Sequence, residues 1–136
     1  MKINGVVETA IHVEDVARSE EFYQRLFGLE KLAGDGRFCA LAVPGDAVFL
    51  IFKQGGTQEP VPTPGGLIPP HGGSGDLHFA FKVSADSLAQ CERELAEHGV
   101  TIESRVDWPR GGTSLYFRDP DGHLVELITP GCWAVY

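Results

Sequence analysis

The stretch LYFRDPDGHLVE, residues 115–126, decides how the rest of the chain is interpreted. Its centre, Asp119-Pro120-Asp121-Gly122, is a strong turn signal, because proline presets φ and glycine tolerates positive φ. The runs on either side, 114–117 and 124–128, are rich in apolar and aromatic residues. Such runs flanking a turn predict two paired strands.

Glu126 stands in the middle of the second of these strands. Alternation places it on one face with Leu124 and Ile128. A buried carboxylate is costly unless it is paired or bound to a metal ion. The simpler alternative is an edge strand with Glu126 in water, so a metal ligand and a surface carboxylate both remain open at this point.

The composition of the chain indicates one compact domain. Its 136 residues suffice for a real core, and its net charge of -8 argues against a nucleic-acid surface. No apolar run approaches the length of a membrane span, and the N-terminus lacks the apolar core of a signal peptide. The three cysteines are widely spaced and form neither a disulfide framework nor a zinc pattern. We therefore expect a cytoplasmic protein with no nucleic-acid or membrane partner.

Hydrophobic periodicity along the chain predicts strands interleaved with two helices. Asp15 is a suitable N-cap for the first helix, and Gly28 a suitable residue to end it. The other predicted elements are strands at Val6–Val13, Phe38–Val43, Ala47–Lys53, Leu77–Val83 and Val100–Val106, and a second helix at Ser84–His98.

A segment dense in glycine and proline, about residues 55–76, separates two halves of the chain. So long a connection is either a linker or a functional loop that lies over a site. We expect it to join module one, about 1–54, to module two, about 77–136, near a cavity mouth and mostly without regular secondary structure. His71 within it is either a solvated loop histidine or a substrate contact.

The two halves repeat the order strand, helix, strand, hairpin. Glu8 and His78 are 70 positions apart, as are Ala10 and Ala80. This predicts an α+β fold of two duplicated βαβββ modules, neither of which buries its sheet alone. The repeat also places Glu8 and His78 at equivalent points of two strands.

Glu8, His78 and Glu126 are therefore the candidate metal ligands. One imidazole and two carboxylates suit a divalent ion such as Fe, Mn or Zn and leave positions for water or substrate. Tyr116 shares a face with Ser114 and is the candidate catalytic residue, as a hydrogen-bond donor or acid beside the metal. A core tyrosine is the alternative. The residues expected to line the substrate cavity are His12, Lys82, Trp108 and Arg118.

Two motifs, HVEDVARSEEFYQRLFGLE near the start and LYFRDPDGHLVEL near the end, resemble the vicinal-oxygen-chelate superfamily. That superfamily contains glyoxalase I, extradiol dioxygenases, and fosfomycin- and bleomycin-resistance proteins. The resemblance covers nearly the whole chain. It implies two βαβββ modules whose curled mixed sheets surround a metal cavity, commonly in a homodimer. It also implies metal ligands on the first strand of each module and on the last strand, which here carry Glu8, His78 and Glu126.

Departures from the family patterns bear on the reaction. Glyoxalase I takes a fourth ligand from the last strand of module one, where Ala47 to Ile51 contains no carboxylate. The extradiol dioxygenase signature is matched in its second half, from Leu115 to Glu126. Its first half needs a histidine, and none lies between Val106 and Thr113. Bleomycin-binding relatives lack the metal triad, so an intact triad favours an enzyme.

The resemblance implies an enzyme that uses one divalent ion (Fe, Mn, Zn, Ni or Co) and binds a small oxygenated substrate through two of its oxygens. Dioxygenase-like chemistry is the first expectation, because of Tyr116 and an open three-ligand site. A glyoxalase-like lyase or isomerase is the alternative. A non-enzymatic drug- or metal-binding resistance module is a further alternative.

Overall fold

The first strand, β1 (Glu8–Val13), leads into helix α1 (Val16–Phe27) in the computed structural model, which describes residues 1–136. The predicted ends of α1 are confirmed. The Asp15 carboxylate accepts a hydrogen bond from the Arg18 backbone N–H at 3.1 Å, and Gly28 ends the helix in the left-handed region with φ 65°. Asp15 thus satisfies one of the free amides of the first turn.

Helix α1 buries one face against the sheet of module one. Phe22 and Tyr23 are core residues, and the Tyr23 ring meets Phe49 edge-on at 4.8 Å. The remaining strands of this sheet are β2 (Lys31–Gly34), β3 (Phe38–Val43) and β4 (Ala47–Lys53), in the order β1-β4-β3-β2.

Module two repeats this topology. Its strands are β7 (His78–Lys82), β8 (Ile102–Asp107), β9 (Thr113–Arg118) and β10 (Leu124–Ile128), in the order β7-β10-β9-β8. In both modules the first strand pairs parallel with the last, and the other pairs are antiparallel. The predicted α+β fold of two βαβββ modules is confirmed.

The second helix differs slightly from its prediction. A 3₁₀ turn at Ala85–Ser87 precedes helix α2 (Leu88–Glu97), whose buried residue is Leu95. Cys91 has the helical spacing of a core residue with Leu88 and Leu95, but it is only half-buried.

The glycine- and proline-rich segment folds with module one. The chain divides into the units Met1–Gly75 and Asp76–Tyr136. Most of the segment lacks regular structure, as predicted, apart from a short hairpin of β5 (Val61–Thr63) and β6 (Gly66–Ile68). None of the helices has the length and apolarity needed to cross a bilayer.

Candidate functional site

Glu126 lies in an interior strand, because β10 has β7 on one side and β9 on the other. Its side chain is only 7% exposed, so the alternative of an edge strand with Glu126 in water was wrong. Oε1 accepts a hydrogen bond from Tyr116 Oη at 3.0 Å and a second one from the Ser114 hydroxyl. The Ser114 oxygen in turn accepts from Trp108 Nε1 at 2.8 Å. Oε1 is therefore fully engaged inside module two, and Oε2 is left for another partner.

His78 faces that second oxygen. Its Nδ1 lies 3.1 Å from the Leu124 carbonyl oxygen, and its Nε2 lies 3.3 Å from Glu126 Oε2. A carbonyl can only accept, so Nδ1 carries a proton. His78 Nε2 then has two possible roles. It either carries a second proton and forms an ion pair with Glu126, or it binds a metal ion together with the Glu126 carboxylate.

These two residues fit two of the three ligand positions of the expected metal site. A histidine whose other nitrogen donates to a backbone carbonyl, beside a carboxylate held by hydroxyl groups, is the usual arrangement around a protein-bound metal ion. The chain alone gathers no group of three His, Cys, Asp or Glu side chains suited to a metal ion. Glu8, the third expected ligand, is an exposed residue at the start of β1 in module one.

Tyr116 is held as a hydrogen-bond donor. Burial raises the pKa of its phenol above the ordinary value, and the hydrogen bond to Glu126 raises that pKa further. A nearby hydrogen bond with Ser114 acts in the opposite direction but does not reverse the shift. The hydroxyl therefore stays protonated at neutral pH and fixes the orientation of the Glu126 carboxylate.

Strand register shows which residues of module one stand at the equivalent positions. In module two Glu126 is opposite Ala80, and in module one Leu50 is opposite Ala10. Leu50 therefore occupies the position of Glu126, in agreement with the carboxylate-free strand noted in the sequence.

The neighbouring strand has diverged in the same way. Tyr116 is opposite Glu126 in β9, whereas Ala40 is opposite Leu50 in β3. Ser114 is replaced in the equivalent position by Phe38. The polar face of module two thus corresponds to a largely apolar face in module one, where Glu8 and His12 are the polar residues that β1 contributes.

That apolar face forms the floor of a cleft of about 560 Å³, which we call the module-one cleft. Its roof comes from the glycine- and proline-rich segment, and a volume of this size suits a small-molecule ligand. The lining residues are Glu8, Ala10, Arg37, Phe38, Leu50, Phe52, Thr57, Glu59, Val61, Ile68, Pro69 and His71.

The roof is held closed by two hydrogen bonds between its ends. Thr57 Oγ1 donates to the His71 carbonyl at 2.6 Å, and the His71 backbone N–H donates to the Thr57 carbonyl at 2.9 Å. His71 is therefore a fixed part of the cleft, with its ring edge-on to Phe52 at 4.7 Å.

The four predicted cavity residues have different surroundings. His12 stacks on Phe52 at 5.7 Å between ring centres, beside the lining of the cleft. Trp108 belongs to the hydrogen-bond chain that reaches Glu126. Lys82 Nζ lies 5.5 Å from the centre of the Tyr136 ring.

Arg118, the fourth of these residues, is exposed. It forms a two-pronged ion pair with Glu103, at 2.7 Å and 3.2 Å, and donates to the Gly122 carbonyl at 3.1 Å. The sequence did not single out Ser114 or Phe52 as site residues. The only sequence feature that could have identified Ser114 as a site residue is its position on the same strand face as Tyr116. No pattern in the neighbouring sequence distinguishes Phe52 from a core residue.

Comparison with known proteins gives a consistent result. A family model described as the Glyoxalase/Bleomycin resistance protein/Dioxygenase superfamily matches residues 5–127. The chain is 31% identical over 134 residues to the glyoxalase domain-containing protein RDO1 of Mycosarcoma maydis, covering 93% of this chain and 69% of that protein. It is 30% identical over 118 residues to the glutathione transferase FosA of Serratia marcescens, covering 85% and 73% respectively.

A solved structure agrees closely with the fold. The lactoylglutathione lyase of Agrobacterium tumefaciens superimposes with a TM-score of 0.89 at 26% identity. The match covers 98% of this chain and 99% of that one.

Proposed function

Since the chain belongs to the glyoxalase/bleomycin resistance protein/dioxygenase superfamily, we propose that it is a divalent-metal-dependent enzyme. It acts on a small substrate that binds the ion through two oxygens. The observation that carries this proposal is the pairing of His78 Nε2 with Glu126 Oε2 at 3.3 Å. Both side chains are oriented by hydrogen bonds through their other polar atoms, as ligands of a metal ion are.

The proposed ligands are His78 and Glu126 of one chain and Glu8 of a second chain in a homodimer. Glu8 is exposed at the start of β1, which leaves its carboxylate accessible to His78 and Glu126 of a partner chain. The ion is one of Fe, Mn, Zn, Ni or Co, and when bound it supplies a Lewis acid or an oxygen-activating centre.

The residues around the ligands have positioning roles in this proposal. Tyr116 and Ser114 donate to Glu126 Oε1 and hold the carboxylate in one orientation. Trp108 fixes the Ser114 hydroxyl through its indole N–H. A ligand held in this way is preorganised, so no side chain has to move when the substrate binds.

Several reaction classes fit the proposed site. Dioxygenase-like chemistry rests on the motif around Tyr116 alone. The relatives described above are named for a lyase and for a glutathione transferase, which supports lyase, isomerase or transferase chemistry equally well.

A non-enzymatic binding module is the second candidate function. The observation that favours it is the apolar module-one cleft, which offers a ligand site whether or not a metal ion is present. In that case the protein sequesters a molecule without changing it.

Metal analysis followed by a reaction screen tests the proposal. The protein is loaded anaerobically with each of the five ions and dialysed, and bound metal is measured for wild type, His78→Ala and Glu126→Gln. We expect both variants to lose at least tenfold in metal affinity, while His98→Ala, a histidine at the end of α2, retains the wild-type value. If wild type and His78→Ala retained equal amounts of metal after dialysis, His78 would not be a metal ligand and the proposed site would be wrong.

Oxygen uptake, isomerisation and thiol addition are then assayed with the loaded protein. Turnover with any ion supports the enzyme. Tight ligand binding without turnover for all five ions favours the binding module.

A further inference from the structure

The duplicated modules carry different chemistry on the same face. Where module two has Glu126 and Ser114, module one has Leu50 and Phe38. A face that only had to support a metal site would not need large aromatic rings. The exchange points to a separate task for module one, which is to bind the body of a ligand.

Phe52 stands at the centre of a cluster of aromatic rings at this cleft. Phe52 stacks with Phe38 at 6.1 Å and with His12 at 5.7 Å, and it meets His71 edge-on at 4.7 Å. Flat faces and edges arranged in this way offer stacked and edge-on contacts to a further ring. Saturated rings cannot make these contacts.

The size and stiffness of the cleft suit a rigid ligand. Its volume is about 560 Å³, within the range of small-molecule sites. The paired hydrogen bonds between Thr57 and His71 fix its roof before any ligand arrives. A preformed cleft favours rigid molecules because little ordering entropy is lost on binding.

The charges of the lining disfavour anions. Glu8 and Glu59 contribute two carboxylates to the wall. Arg37 is the one lysine or arginine in the lining, and its Nη2 lies 3.4 Å from Asp35 Oδ2, so a carboxylate already accompanies this guanidinium. The chain as a whole carries a net charge of -8, which adds to the repulsion.

From these observations we infer that the module-one cleft binds a flat aromatic molecule that carries no negative charge. The inference deepens the proposed function, on which it rests for the link to catalysis, because Glu8 is both a proposed metal ligand and part of the cleft wall. The substrate is then an aromatic compound whose oxygen-bearing edge reaches Glu8 and whose ring system lies against Phe52.

Three matched probes test the inference on the metal-free protein. 2-Naphthol is flat and neutral at pH 7, decahydro-2-naphthol is its saturated counterpart, and 2-naphthoate is its flat anionic counterpart. Binding is measured by calorimetry. We expect 2-naphthol to bind about two- to tenfold more tightly than the saturated alcohol, because ring contacts add to the area buried. We expect 2-naphthoate to bind at least about fivefold more weakly than 2-naphthol, because of the wall carboxylates.

Matched variants locate the site. Phe52→Leu should weaken 2-naphthol binding about two- to tenfold and leave the saturated alcohol nearly unchanged. Glu59→Gln should improve 2-naphthoate binding without affecting 2-naphthol. Phe79→Leu makes the same change as Phe52→Leu in module two, outside the lining, and should alter none of the three affinities.

The outcomes separate this inference from the proposed function. Binding of 2-naphthol that depends on Phe52 supports the inference, and it continues to do so if the protein retains none of the five ions in the loading experiment, a result that contradicts only the metalloenzyme. Metal retention that depends on His78, with equal affinity for all three probes or none for 2-naphthol, overturns the inference and leaves the metalloenzyme standing. An effect of Phe79→Leu as large as that of Phe52→Leu also overturns it, since the probe would then bind elsewhere.

Discussion

At the scale of single residues, the molecule provides a buried carboxylate with partners on both of its oxygens. Isolated buried charges are costly, and the cost falls when each lone pair has a partner. Glu126 Oε1 has the Tyr116 and Ser114 hydroxyls, and Oε2 has His78. The residues that matter for the proposed chemistry therefore include the two hydroxyls as well as the ligands.

Removing one hydroxyl tests this arrangement. In Tyr116→Phe, Ser114 still donates to Glu126, so we expect folding and metal content near wild type. Turnover should fall about ten- to a hundredfold, as is usual when a group that orients a metal ligand is lost. Tyr136→Phe is the matched control, because the Tyr136 hydroxyl lies 3.2 Å from the Val83 carbonyl oxygen and not at Glu126. Equal loss of turnover in both variants would show that the effect is general and not specific to the site.

The raised pKa of Tyr116 makes its contribution to stability depend on pH. Above pH 10 the unfolded phenol loses its proton before the folded one does, so the folded state binds more protons and stability falls as pH rises. The difference in unfolding free energy between wild type and Tyr116→Phe should be constant below about pH 9 and shrink above pH 10. Urea denaturation at a series of pH values measures it. A difference that grows at high pH would mean that the sign of the shift is wrong.

At the scale of elements, the sequence predicted the helices and strands whose ends are set by neighbouring residues. Helix α1 begins and ends where Asp15 and Gly28 predict, and β10 spans the predicted Leu124–Ile128. The sequence did not reveal β2, β5 or β6, which have three or four residues each and are mostly exposed. Strands so short have too little alternation to be recognised, and they form because a neighbouring strand offers hydrogen bonds.

Parts of the candidate site could be predicted from the sequence, and other parts could not. Alternation pointed to Glu126, and the repeat pointed to Glu8 and His78. The closure of the cleft roof could not be predicted, because it joins Thr57 to His71, 14 positions apart across a segment with no periodic pattern. Contacts between distant positions are set by the folded chain and leave no local signal.

The roof of the module-one cleft gives a test at this scale. Thr57→Val keeps the shape of the side chain but removes the 2.6 Å hydrogen bond from Thr57 Oγ1 to the His71 carbonyl, at a position only 6% exposed. We expect a loss of about 1 kcal/mol in stability and faster proteolysis between residues 57 and 71. In Thr63→Val the lost bond, to the Gly66 carbonyl at 2.8 Å, is exposed and should matter little. Similar cleavage rates for the two variants would mean that the hydrogen bond from Thr57 to His71 does not hold the roof in place.

At the scale of the whole molecule, the expected homodimer decides whether a complete metal site exists. Val6 and Val7, beside the proposed ligand Glu8, are exposed in the single chain at 79% and 60%. Exposed apolar residues of this kind are commonly covered in an assembly. A partner that covers them would also approach Glu8.

Mixing two inactive variants tests donation in trans. Glu8→Gln and His78→Ala proteins should each retain little metal, because each alters every site. After the two are unfolded and refolded together, half of the dimers are mixed, and each mixed dimer has one intact site if Glu8 comes from the partner chain. Bound metal should then recover to about a quarter of the wild-type value, as expected for a symmetric dimer.

Ligands that all come from one chain would give no recovery in that experiment. The control is a mixture of His78→Ala with Glu126→Gln, which alter the same half of the site. That mixture should restore nothing if the two residues act together.

The difference between the polar face of module two and the apolar face of module one also affects how the ligand specificity of such a protein can evolve. In the proposed arrangement His78 and Glu126 belong to module two, whereas the shape of the cleft is set by module one, which contributes only Glu8 to the metal site. A library of substitutions at Leu50, Phe38 and Val61 alters the walls of the cleft without touching the residues around Glu126. New specificities should therefore be reachable by few mutations, since each step can leave the reactive centre intact.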